Sequence, residues 1–182
     1  MVHGRGANAQ IILSLSDALG LTDAAFLAPQ AEGGVWYPQR FIEPIDHNQP
    51  WLSNALETVT RAIHDTGLPQ ERVALLGFSQ GACLALETAY RVGGRFQAVI
   101  GFSGGLIGAD EEIGATRGAN LDGTPVLLGC SDVDFHIPLE RVHRSAELLE
   151  TAGAAVDTRI YPNFGHAINA DEISAARALL AD

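Results

Sequence analysis

The sequence predicts an α/β fold, in which a mostly parallel sheet carries helices on both faces. Two observations lead to this prediction: short apolar segments alternate with amphipathic stretches along all 182 residues, and neither a repeat nor a linker interrupts the alternation. Such alternation is typical of parallel strands that are connected by helices. We therefore expect one domain, residues 1–182, with strands at Ala24–Ala28, Val73–Phe78, Ala98–Phe102, Val126–Leu128 and Val156–Tyr161.

Five helices are expected between and after these strands, because apolar residues recur on one face of each segment. Gly20, Gly67 and Gly153 stand just past three of the expected helix ends, where a left-handed residue often closes the last turn. The segments are Ala9–Leu19, Trp51–Asp65, Gln80–Arg91, Pro138–Thr151 and a last one near Ala170–Leu180.

Two connections are long for such a fold, and loops of this length are usually functional or disordered. Residues Pro29–Gln49 contain Trp36, Tyr37 and Phe41, and this aromatic content argues against disorder. We expect these rings to wall an apolar substrate pocket, with a small satellite core as the alternative. The second connection, Gly104–Gly123, is glycine-rich and acidic. Its pattern does not choose between a mobile flap and a solvated loop.

Composition excludes several function classes. The formal net charge of −11 disfavours nucleic acids and anionic membrane surfaces as partners, and no apolar run approaches the ~18 residues of a membrane span. All 11 basic residues are arginine, which excludes a Schiff-base lysine, a P-loop lysine and a Ser-Lys dyad. Cys83 and Cys130 lie in apolar surroundings and are expected to be buried free thiols, which suits a cytoplasmic protein.

A nucleophile elbow is predicted at Gly77-Phe78-Ser79-Gln80-Gly81, which lies between an apolar strand and an amphipathic helix. In this arrangement, typical of α/β-hydrolases, a tight turn lifts the serine hydroxyl clear of the sheet. The helix that follows also points its free N–H groups at the position of a developing oxyanion. A second match, Gly101–Gly105, contains Ser103, but no helical pattern follows it. We therefore expect Ser79 to be the nucleophile and Ser103 to be an ordinary residue at a strand end.

An elbow serine needs a base and a residue that orients the base, and in this fold the chain order is serine, acid, histidine. His166 follows the last predicted strand and is expected to be the base. His143 falls within a predicted helix, off its apolar face, and is expected to be solvated. For the acid, Asp132 and Asp134 both follow the strand that precedes them, and spacing alone does not choose between the two.

A glycine-rich turn near the start of the chain, His3-Gly4-Arg5-Gly6, is the candidate for the remaining part of the site. Such a turn can present a backbone N–H to an oxyanion, here that of Arg5, and the N–H of Gln80 after the nucleophile would be the second donor. Four of the candidates, Arg5, Ser79, Asp134 and His166, fall at the carboxyl ends of predicted strands, where open α/β sheets place their sites.

These segments resemble the phospholipase/carboxylesterase family of α/β-hydrolases, which includes bacterial carboxylesterases and acyl-protein thioesterases. The matching segments are HGRGA at 3–7, APQ at 28–30, GFSQGA at 77–82, SDVDFHIP at 131–138 and GH at 165–166. The resemblance implies a serine esterase that uses Ser79 and His166 and no cofactor or metal. The family's acid lies four residues before a proline, which selects Asp134, and its oxyanion residues correspond to Arg5 and Gln80.

The chain departs from the family pattern in two places. Phe135 stands where proline is common, and only Met1 and Val2 precede the glycine-rich turn, where the family has a full strand. We therefore expect the N-terminal strands to be missing and the sheet to be disturbed beside Val73–Phe78, with a mobile turn at His3–Ala7, unless another segment or chain completes the sheet.

Several functional alternatives remain open from the sequence. A lysophospholipase, an acyl thioesterase and a non-catalytic protein that binds a small molecule are alternatives to a carboxylesterase. The sequence gives neither the acyl length nor the alcohol of the ester. It also leaves the oligomeric state undetermined, with a homodimer as one option.

Overall fold

A four-stranded, fully parallel sheet forms the centre of the computed structural model, which describes residues 1–114 and 119–181. The strands are neighbours in chain order, and all three adjacent pairs are parallel. Their carboxyl ends therefore meet at one edge of the sheet. The strands are β1 (Ala74–Phe78), β2 (Ala98–Phe102), β3 (Pro125–Ser131) and β4 (Ala155–Tyr161).

Helices cover both faces of this sheet, as the sequence predicts. The helices are α1 (Ala9–Leu13), α2 (Leu15–Leu19), α3 (Trp51–Asp65), α4 (Gln80–Val92), α5 (Leu139–Thr151) and α6 (Ala170–Ala181). One apolar core lies between the sheet and helices α3, α4 and α5, and a second core lies on the opposite face under α1, α2 and α6. Because successive strand residues point to opposite faces, Val99 enters the first core and Ile100 the second.

A helix and a strand differ from their predicted bounds. The predicted helix Ala9–Leu19 is two helices that meet at Ser14, whose hydroxyl donates to the Ile11 carbonyl oxygen at 2.7 Å. A serine that binds the backbone in this way competes with the helical hydrogen bonds. The predicted strand Val126–Leu128 extends to Ser131, because it pairs with β4 up to the register pair Ser131 and Tyr161.

The predicted strand Ala24–Ala28 is wrong. Residues 24–28 form no strand and do not pair with β1. A cavity of about 650 Å³ is instead lined by this segment and by β1. Within the described residues, β1 is paired on this side only by Val2, in a single bridge to Gly77. The sheet is therefore open beside β1, where the sequence led us to expect a disturbance. In the His3–Ala7 turn next to it, His3 and Gly4 are buried, whereas Arg5 and Gly6 are exposed.

The two long connections are largely packed against the first core. Trp36, Tyr37 and Phe41 belong to that main core and do not form the separate satellite core that was the alternative. In the second connection, residues 104–108 are buried, whereas Asp110 and Glu111 are exposed, so this connection is partly packed and partly solvated. Residues 115–118 of this connection lie outside the described residues.

Cys83 and Cys130 are both free and buried, as the sequence predicts.

None of the helices described for residues 1–114 and 119–181 combines the length and apolar character that crossing a bilayer requires.

A reciprocal cap fixes the start of α6. The Asn169 side chain accepts a hydrogen bond from the Glu172 N–H at 2.9 Å, and the Glu172 Oε2 accepts one from the Asn169 N–H at 2.8 Å. The Glu172 side chain is 1 % exposed, and its carboxyl group packs directly against Gly129 of β3. Burial raises the pKa of Glu172 to about 7.

We predict that this buried carboxyl makes the protein less stable as the pH rises from about 4.5 to 7. The folded protein retains the proton over this range whereas the unfolded chain loses it, so the free energy of unfolding falls by about 3 kcal/mol. Glu172→Gln should remove this dependence, because the amide does not ionise. Urea unfolding at pH 4.5 and pH 8 measures the effect. Glu57→Gln, at an exposed position on α3, is the control, and identical pH profiles for wild type and Glu172→Gln would contradict the prediction.

Candidate active site

Ser79 occupies a strained turn between β1 and α4. Its φ is 55° and its ψ is −123°, a conformation that non-glycine residues rarely adopt. The two motif glycines allow this turn because a side chain at either position would clash: at Gly77 with the Gly81 carbonyl, and at Gly81 with the Val2 carbonyl. The pentapeptide therefore forms the elbow that the sequence predicts.

Ser79, His166 and Asp134 form one continuous chain of hydrogen bonds. His166 Nε2 lies 2.9 Å from Ser79 Oγ, and His166 Nδ1 lies 2.7 Å from Asp134 Oδ2. Because a carboxylate only accepts hydrogen bonds, Nδ1 carries the proton and Nε2 is free to accept the Ser79 hydroxyl. The His166 side chain is 16 % exposed, so the imidazole borders solvent, whereas the Asp134 side chain is fully buried. The arrangement can move a proton from Ser79 Oγ to His166.

The Asp134 carboxylate is held in its ionised form by several donors. Its Oδ1 accepts from the N–H groups of His136 at 2.9 Å and Ile137 at 3.1 Å, and the Cys130 thiol lies 3.8 Å from Oδ2. Burial alone would raise the pKa of Asp134. The hydrogen bonds from His166 and from the two backbone amides outweigh burial and hold this pKa below its ordinary value.

Asp132 has a different partner and supports the loop that carries His166. Its Oδ1 accepts the N–H of Asn163 at 2.8 Å. The neighbouring Ser131 hydroxyl accepts the N–H groups of Phe164 at 3.1 Å and Gly165 at 2.9 Å. These bonds, together with the cap at the start of α6, fix the loop on both sides of His166. Nothing in the sequence singled out Ser131, whereas the Asn-x-x-Glu spacing of the α6 cap is a recognisable helix-start signal.

Among the described residues, the side chains of Ser103, His143 and His136 are not members of this chain of hydrogen bonds. Ser103 also has a positive φ, 52°, but it is fully buried, and its hydroxyl has no partner among the described residues. His143 is exposed on α5, as expected. His136 packs edge-on against the His166 ring, with 4.7 Å between the ring centroids.

The thiols do not compete with Ser79 as nucleophiles. Burial raises the pKa of both Cys83 and Cys130 to about 12, so both are protonated at neutral pH. In the part of the chain that the structure describes, no group of three or more histidine, cysteine or acidic side chains is arranged to hold a metal ion.

The backbone amides of Arg5 and Gln80 lie in the two turns that were predicted to stabilise an oxyanion. Across residues 1–114 and 119–181, neither N–H donates to a hydrogen-bond acceptor. The Gln80 amide is the first of α4, where helices have unpaired N–H groups. Both donors are therefore available to a ligand.

The three predicted substrate-binding rings are buried. Trp36 is 4 % exposed, Tyr37 1 % and Phe41 6 %, which leaves little surface for a ligand. Trp36 packs on His3 with 4.9 Å between the ring centroids, and Phe41 packs under the Arg141 guanidinium. Burial favours a structural role for these rings, and their contact with substrate stays a prediction.

Comparison with known proteins supports the same fold and family. A phospholipase/carboxylesterase from Dyadobacter fermentans is 39 % identical, with a TM-score of 0.94 over 100 % of this chain and 88 % of that one. The crystal structure of esterase PE8 is 27 % identical, with a TM-score of 0.82 over 99 % of this chain and 89 % of that one. Acyl-protein thioesterase 1 from Gibberella zeae is 30 % identical over 117 residues, which are 64 % of this chain and 50 % of that protein.

The matched region spans about half the length of the curated thioesterase relatives. The sequence profile of the phospholipase/carboxylesterase family, by contrast, matches residues 2–181, which include the glycine-rich turn, the elbow and both loops that carry Asp134 and His166. The chain therefore belongs to the phospholipase/carboxylesterase family of α/β-hydrolases.

Proposed function

We propose that the protein is a serine hydrolase that cleaves carboxylic esters through an acyl-enzyme. The observation that carries this proposal is the chain of hydrogen bonds from Ser79 through His166 to Asp134, at 2.9 and 2.7 Å. Binding alone does not require a serine hydroxyl aligned with a base, so this geometry favours an enzyme over a non-catalytic binding protein. Membership of the family supports the same conclusion.

The reaction has two halves. Ser79 Oγ attacks the ester carbonyl carbon while its proton moves to His166 Nε2, and a tetrahedral oxyanion forms. The carbon–oxygen bond to the alcohol then breaks, His166 protonates the leaving oxygen, and the acyl group remains on Ser79. Water repeats the attack with His166 as base, which releases the carboxylic acid and restores the serine. Asp134 orients the imidazole and stabilises it when it becomes positively charged.

The N–H groups of Arg5 and Gln80 are the proposed oxyanion donors. Both are unpaired within the described residues, and the Gln80 amide also lies at the positive end of the α4 dipole. In other serine hydrolases, the removal of one such donor slows the reaction by about 10²–10³-fold.

The proposed substrates are neutral esters. The net charge of −11 weakens the approach of polyanionic thioesters such as acyl-CoA. The two buried free thiols support a cytoplasmic location, because a reducing compartment keeps thiols from pairing.

Thioester hydrolysis is the second candidate activity, because acyl-protein thioesterases are among the relatives. We expect a chromogenic ester to have a higher kcat/KM than an acyl-CoA with the same acyl group, because the acidic surface repels the CoA phosphates. An uncharged thioester with that acyl group separates the effect of charge from the effect of sulfur. A preference for both thioesters would reverse the order of the two candidates.

Ser79→Ala should abolish ester hydrolysis and labelling by a fluorophosphonate, because both reactions require the serine oxygen as nucleophile. Activity-based gel labelling and a chromogenic ester assay measure the two effects. Ser103→Ala is the matched control, since Ser103 lies in the second match to the Gly-x-Ser-x-Gly pattern, at 101–105, but is fully buried. Loss of labelling in Ser103→Ala and not in Ser79→Ala would show that the nucleophile is misassigned.

Asp134→Asn should lower kcat by about 10⁴-fold, because an asparagine favours the wrong imidazole tautomer. Asp132→Asn should cost far less, since the partner of the Asp132 carboxylate within residues 1–114 and 119–181 is the backbone N–H of Asn163 and not His166. Steady-state kinetics of the two variants on one ester provide the comparison. Equal losses of kcat would mean that the Asp134 charge has no special role.

A further inference from the structure

The carbonyl oxygen of Tyr37 accepts hydrogen bonds from the side chains of both proposed oxyanion residues. Arg5 Nη2 donates to it at 2.8 Å, and Gln80 Nε2 donates to it at 2.8 Å. Arg5 and Gln80 are distant in the sequence and belong to different elements, a glycine-rich turn and the first turn of α4. A single atom of the 29–49 loop therefore links the two residues whose backbone amides are the proposed oxyanion donors.

Each side chain also makes a second bond to the same loop. Gln80 Oε1 accepts the N–H of Trp36 at 3.0 Å, so both ends of this buried amide are satisfied. Arg5 Nη2 donates to the Gln39 carbonyl oxygen at 2.8 Å as well as to Tyr37. Two bonds from each side chain restrict its orientation more than one bond would, and they restrict the attached backbone as well.

The glycine-rich turn is bound to this loop at further points. The N–H of Gly6 donates to the Gly34 carbonyl at 2.8 Å, and the Trp36 indole donates to the His3 carbonyl at 2.9 Å. Strand pairing contributes little to holding the turn, because Val2 makes only the single bridge to Gly77 among the described residues. Among the described residues, the hydrogen bonds that hold the turn itself therefore come mainly from the loop, whereas the sheet binds the preceding Val2.

We propose that the side chains of Arg5 and Gln80 are positioning residues, which fix the distance between the two oxyanion amides by binding the Tyr37 carbonyl in common. The inference rests on the proposed function, because it takes these amides to be the oxyanion donors. An oxyanion hole accelerates a reaction only when its donors are held in place before the charge develops. The buried Trp36 and Tyr37 rings then anchor the carbonyl in the core.

Arg5→Met and Gln80→Met test this inference, because each keeps the backbone N–H and loses its bond to Tyr37. We expect each variant to lower kcat by about tenfold, less than the 10²–10³-fold loss of a whole donor, while KM changes little. The affinity of a trifluoromethyl ketone, which forms an oxyanion on Ser79, should fall by the same factor as kcat/KM. In the double variant the loss should be smaller than the product of the two single losses, because both residues bind one carbonyl.

Arg95→Met is the matched control. Arg95 also donates to two backbone carbonyls, those of Asp122 and Gly123, but these lie outside the site. This variant should keep the wild-type kcat and ketone affinity. Thermal unfolding of every variant separates a loss of folding from a loss of positioning, and Arg5→Met alone decides the test if Gln80→Met does not fold, since the Arg5 side chain is exposed.

The outcomes distinguish this inference from the proposed function. A wild-type protein that neither hydrolyses esters nor reacts with a fluorophosphonate would refute the proposed function. An active wild type with folded variants of unchanged kcat would refute the inference alone. A rise in KM at constant kcat would also refute it, as would a lower kcat with unchanged ketone affinity, because neither result involves the oxyanion.

Discussion

The close approach of β1 and α4 at the elbow is the constraint on which the rest of the site depends. Two glycines allow the backbone of α4 to pass within contact of β1 and of the Val2 carbonyl, and no larger residue fits at either position without a shift of the backbone. The Ser79 N–H is also bound to the Phe102 carbonyl at 2.9 Å, so the strained turn is tied to the end of β2. Strain of this kind persists only when its surroundings over-determine it. Here it places the hydroxyl within reach of a base and the next amide at the start of a helix.

Hydrogen-bond donors around Asp134 explain why this side chain remains charged although it is buried. Desolvation favours the neutral form of a buried carboxyl, and Glu172, whose side chain accepts one N–H bond from Asn169, has its pKa raised to about 7. Asp134 instead receives two backbone N–H bonds from its own turn in addition to the imidazole. The turn before Pro138 therefore places the acid near His166 and also favours its ionised form. In the proposed reaction, the resulting negative charge stabilises the imidazolium.

The sequence predicts best those features that depend on local pattern. The fully buried β2 appears as a continuous apolar run, and the elbow follows from its glycines and from the amphipathic helix after it. Ala24–Ala28 has an apolar pattern too, but a strand also needs a neighbour, and this segment is separated from β1 by a cavity. The choice between Asp132 and Asp134 depends on where the His166 loop lies, which spacing alone does not determine. The burial of Trp36 likewise depends on tertiary contacts, in this case with His3 and Gln80.

The two halves of the site depend on different parts of the structure. The residues proposed for proton transfer, Ser79, Asp134 and His166, lie at the ends of paired parallel strands and beside the capped start of α6. The proposed oxyanion half includes the His3–Ala7 turn, which follows the single bridged residue Val2 beside the open edge of β1. Hydrogen bonds from the 29–49 loop supply the order there that a full strand pairing would otherwise provide. Because the loop's aromatic rings are core residues, the order of the oxyanion half is coupled to packing on the α3 and α4 face of the sheet, at a distance from the reacting atoms.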